Sequence, residues 1–141
     1  MKTIGFGLWT VTFDRKATTA AHTAMKSGGA EECRCGDCAN FARQKPAPYP
    51  KEFLDLLNAL GIDPQREIEV YNQYCIYEGE FLDYAGWFYF VGHVEGEGFL
   101  ESGLFKWYLM EGPNYKVPEF EQKPVSRVEF HDFRLPIIDR S

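Results

Sequence analysis

The sequence predicts an α+β domain, an antiparallel β-sheet with one or two helices packed on one face, and three observations carry that expectation. Phe, Tyr and Trp make up 16% of the 141 residues, and such bulky, β-favouring side chains suit the faces of a sheet better than a helical bundle. The segment 84–94, which contains Trp87-Phe88-Tyr89-Phe90-Val91, is apolar on both faces and bounded by glycines, as a central strand is. A strand, then helices, then consecutive strands is the order of an antiparallel sheet with segregated helices. The length is close to the commonest domain size, so residues 1–141 are expected to form a single domain around one core.

Taken in order, residues 3–13 are rich in aromatic and β-branched side chains with bulk on both faces, and read as one strand buried on more than one side. Residues 14–26 are small and polar and fit a short helix or a loop; Ser27, Gly28 and Gly29 end either. Asp37 can cap a short helix that begins near Cys38, and a Pro-rich connection at 46–50 closes it. The clearest helix follows, with Pro50 at its first position and Phe53, Leu56, Leu57 and Leu60 on one face. Gly61 is its left-handed stop and Ile62 is placed to fold back on the last turn. Period alone leaves residues 67–77 between helix and strand. Segments 99–110 and 125–133 are further strands, and the glycines of 91–98 read as a hairpin turn.

Composition narrows the function. The chain is 45% hydrophobic and 26% charged, ordinary for a globular protein. Its net charge of −6, with basic residues scattered singly, would repel a phosphate backbone, so nucleic acid is not the expected partner. No apolar run approaches the ~18 residues of a membrane span. The first residues imitate a signal peptide, but Asp14, Arg15 and Lys16 follow at once without a cleavage site. With three of the four cysteines crowded into six residues, a spread disulfide framework is excluded and a reducing cytoplasm is the expected location.

That crowded segment, Cys33-Arg-Cys-Gly-Asp-Cys38, is the one chemically distinctive feature. A two-residue spacer folded as a turn brings two thiolates to the separation that tetrahedral zinc needs, as for Cys35 and Cys38. Cys33, two residues upstream in extended chain, points to the same side as Cys35 and can be a third ligand. A nearby helix start would help Cys38 ionise. Spacing does not select the fourth ligand: Cys75, a soft donor, and His22, just before the cluster, come first, followed by His93 and His131. Water in that position would make the site catalytic. An iron–sulfur cluster usually takes four thiolates. The Cys-Gly-Asp-Cys outline also fits a redox dithiol, although the glycine-rich, charged residues before it are not the buried strand such a motif follows.

The segments Cys33-Arg-Cys-Gly-Asp-Cys-Ala-Asn40-Phe41, Leu60-Gly61-Ile62-Asp63-Pro64, Glu69-Val70-Tyr71 and Gly86-Trp87-Phe88-Tyr89-Phe90-Val91-Gly92 together resemble a group of small uncharacterised bacterial proteins with a C-x-C-x-x-C-x-N-F motif and a G-W-x-x-F-V-G strand. The resemblance covers the middle of the chain. It implies a bacterial cytosolic origin and a shared role for the cysteine motif, and brings no catalytic residues. Three functions follow as expectations: a non-enzymatic binding domain with a cysteine-ligated zinc site, a thiol-redox or zinc-dependent enzyme using Cys33, Cys35 and Cys38, or an acidic inhibitor or immunity-type protein acting on a partner protein.

Overall fold

The computed structural model of the chain describes residues 1–74 and 79–138. Its frame is a seven-stranded antiparallel sheet of β1 (Lys2–Phe6), β2 (Trp9–Phe13), β3 (Glu69–Asn72), β4 (Phe81–Gly96), β5 (Leu100–Ser102), β6 (Phe105–Glu111) and β7 (Val125–Pro136). Helices α1 (Arg15–Ala24), α2 (Gly29–Glu32), α3 (Gly36–Gln44) and α4 (Lys51–Leu60) all lie between β2 and β3 in the chain. The α+β class is as the sequence predicts, and α3 and α4 are the helix pair on one face.

Strand β4 is the axis. β7 runs along one of its edges, and the other edge takes β3 at residues 84–87 and β2 at residues 92–96. Between those partners the edge of β4 would expose unpaired backbone groups, which burial does not tolerate. Helix α1 fills the gap. The Asp14 amide donates to the Val91 carbonyl at 2.9 Å, the Val91 amide donates to Thr18 Oγ1 at 2.9 Å, and His22 Nε2 meets the Tyr89 carbonyl at 2.9 Å. Asp14 also caps the helix, its carboxylate accepting from the Ala17 amide at 2.9 Å. Residues 14–26, left open between helix and loop, are therefore mostly helix.

Alternation along the strands divides the buried side chains. Phe88, Phe90, Phe130 and Trp107 face α3 and α4, where they meet Phe41, Phe53 and Leu57 in the main core. Tyr89 and Val91 face the other way, onto Ala21 and Met25 of α1's end and Phe120 of the short 3-10 turn Pro118–Phe120. The sheet curls: Leu100 of β5 reaches the β1–β2 turn, where a Cβ on Gly7 would lie 3.0 Å from it.

Three expectations are corrected. Residues 3–13 form a hairpin instead of one strand, and residues 99–110 likewise divide into β5 and β6. In each the chain turns at a Gly-Leu pair, with φ of 58° at Gly7 and 60° at Gly103, the conformation a two-residue hairpin needs at its first loop position. Leu8 and Leu104 sit exposed at those tips. The glycines of 91–98 are not a turn up to Gly96, because β2 pairs with that stretch of β4. Within the undecided segment 67–77, residues 69–72 are strand β3; Cys75 lies outside the described residues.

Candidate metal centre

The three cysteines sit where α2 hands over to α3. Cys33 caps the C-terminus of α2, its amide donating to the Gly29 carbonyl. Cys35 has extended backbone and is the N-cap of α3, with Sγ accepting from the Cys38 amide at 3.3 Å. This corrects the expected cap. Asp37 lies inside the first turn and is nearly buried, so the sulfur of Cys35 takes the capping position that a carboxylate or hydroxyl usually holds.

The Cys33 and Cys35 sulfurs are 3.4 Å apart, and the ligand atoms of Cys33, Cys35 and Cys38 all lie within 4.8 Å of one another. Zn–S bonds of about 2.3 Å in a tetrahedron place sulfurs about 3.8 Å apart. Three thiols in this arrangement can share one metal ion, and the donor set is the soft one that zinc accepts.

Burial divides the three. Cys33 and Cys35 are exposed and Cys38 is buried. A hydrogen bond from the Cys38 thiol, helped by the Cys35 amide and thiol, holds Cys33 below the usual thiol range. Burial first, and then the neighbouring thiols, push Cys38 well above it. The expected ionisation of Cys38 by the helix start is thus reversed: desolvation disfavours the thiolate more than the helix N-terminus favours it. A divalent ion held by these three thiols would supply a counter-charge that favours their ionised form.

The loop is braced from both sides. Tyr84 of β4 donates from Oη to the Asp37 carbonyl at 2.7 Å and accepts from Asn40 Nδ2 at 3.1 Å; its burial raises the hydroxyl to about 12. Asn40 also bonds the Pro136 carbonyl and the Ile138 amide at 3.0 and 2.7 Å, which locks α3 to the end of β7. On the α2 side, Lys45 Nζ reaches Glu67 at 2.8 Å, Glu31 at 2.6 Å and the Gln65 carbonyl at 2.9 Å. Glu67 in turn accepts from the Ala30 amide at 2.8 Å. Composition does not reveal these bracing residues, since Lys45 and Glu67 are far apart in sequence; Asn40 alone stands inside a recognisable motif.

The histidines lie elsewhere. His22 is buried in α1 against the second face, edge-on to Phe120. His93 pairs with Glu111 at 2.6 Å. His131 stacks on Tyr108, whose hydroxyl donates to Glu129 at 2.7 Å. Among the described residues, none of the three joins the converging ligand atoms.

Fold and site together define a curled antiparallel α+β domain with a three-thiol centre in its helical layer. Compared with protein-family models, with curated proteins and with solved structures, the chain matches none.

Proposed function

We propose that this chain is a non-enzymatic binding domain in which Cys33, Cys35 and Cys38 hold a structural zinc ion that fixes α2 against α3. The convergence of three sulfurs within 4.8 Å is the observation that carries the reading. One other supports it. The bracing by Tyr84, Asn40 and Lys45 preorganises the ligands from the surrounding shell, as tightly bound metals require. Cys75, the remaining thiol of the chain, or a water completes the tetrahedron; His22 is already committed to the Tyr89 carbonyl. Thiolate ligands of this kind belong in a reducing compartment such as a bacterial cytoplasm.

Protein purified without chelator tests this by elemental analysis. The expected result is about one equivalent of zinc per chain, lost in C35S and C38S together with cooperative unfolding. Retention of zinc in C75S would assign the fourth position to water, and its loss would assign it to Cys75. Metal-free protein that folds normally and forms a reversible Cys35–Cys38 disulfide would replace the zinc reading with the redox one.

A further inference from the structure

A spacious cleft lies away from the cysteines, on the sheet face opposite α3 and α4, beneath the connection from β6 to β7. Its volume is about 440 Å³, within the range of small-molecule sites. Tyr89, Tyr115, Val117 and Phe120 supply an apolar lining, with the Tyr89 and Phe120 rings edge-on at 5.7 Å.

The cleft is held open by the protein's own hydrogen bonds. The Tyr89 hydroxyl accepts from the amides of Asn114 and Tyr115, each at 3.0 Å, and donates to the Tyr115 carbonyl at 2.7 Å. The far end of the connection is fixed by the Gly92 amide donating to the Pro124 carbonyl at 2.9 Å. Preformed walls reduce the ordering cost of binding.

Charge selects the ligand. Lys116 and Lys123 line the cleft and are exposed, and neither is paired with a carboxylate among the described residues. Glu121 is the one acidic residue of the lining, so the site carries a small local excess of positive charge on a chain of net charge −6. A single negative charge matches that excess, whereas a phosphate dianion would meet Glu121 and lack a ring of donors. We propose that this cleft binds a small amphipathic carboxylate, with an apolar ring or short chain against Tyr115, Val117 and Val125, which are backed by the buried Tyr89 and Phe120 rings, and its anionic head towards Lys116 and Lys123.

The site is independent of the thiols, so its failure would leave the zinc reading untouched. The test is titration of the full chain with 1-naphthoate and with its neutral counterpart 1-naphthalenemethanol, followed by calorimetry and by amide shifts in NMR. Saturable binding of the carboxylate is expected, about tenfold tighter than the alcohol, with shifts centred on residues 113–125. The K116E/K123E double variant should lose about tenfold or more in affinity for the carboxylate at unchanged melting temperature, and V117W should fill the cleft and abolish binding of both. Equal affinity for acid and alcohol, shifts elsewhere, or no saturable binding of 1-naphthoate up to about 5 mM would overturn the proposal.

Discussion

His22 meets the Tyr89 carbonyl with Nε2, while its Nδ1 has no partner among the described residues. A carbonyl only accepts, so Nε2 carries the proton and the ring is neutral. Burial holds the imidazole below its ordinary value of 6.5. A folded value below the unfolded one means that protonation works against the fold. The contribution is whole above pH 6.5 and is lost as pH falls through the lower folded value. H22L, which removes the donor, should cost about 1–3 kcal/mol in denaturant unfolding and flatten that acid-side dependence, with zinc content unchanged. Loss of zinc in H22L would instead make this histidine a ligand. Lys45 is a second test at this scale. Its side chain and that of Glu67 are 1% and 0% exposed, so K45M strands a buried carboxylate and should cost about 3–5 kcal/mol. A loss below about 1 kcal/mol, the level of a surface pair, would contradict the bracing role.

Among the elements, α4 was the most legible. Phe53, Leu57 and Leu60 are all fully buried on one face, and Gly61 stops the helix at φ 85°, with the Ile62 amide returning to the Leu57 carbonyl at 2.9 Å. Pro50 is the N-cap and not the first helical residue, a one-residue difference. G61A forces an L-side chain into the left-handed region and sets its Cβ 2.7 Å from the Arg15 carbonyl, so a loss of about 1–2 kcal/mol or more in thermal or chemical unfolding is expected. The hairpins were hidden for a physical reason. A run such as residues 3–13 keeps β-favouring side chains on both arms, and a single Gly-Leu pair interrupts the alternation too little to separate one long strand from two short ones. Helix α1 was hidden for another: its purpose, closing the gap in the edge of β4, depends on partners more than sixty residues away.

At the scale of the whole molecule, the aromatic content pointed correctly to a sheet-built core, since rings of Phe41, Tyr49, Phe53, Phe105, Phe130 and Phe133 contact one another across it. Tyr49 was not foreseeable. It lies in the Pro-rich connection, yet it is buried and stacked on Phe133 at 4.7 Å. No helix among the described residues is long and apolar enough to cross a membrane, in keeping with the absence of long apolar runs. The cysteine cluster was legible because its ligands are adjacent in the chain, and so their convergence depends on one turn. The bracing shell was not, because it is assembled from β4, β7 and the segment before β3.

X-ray absorption at the zinc edge of protein purified without chelator tests the centre most directly. A first shell of at least three sulfurs at about 2.3 Å is the predicted result; an absent zinc edge, or a shell of nitrogen and oxygen alone, would contradict it.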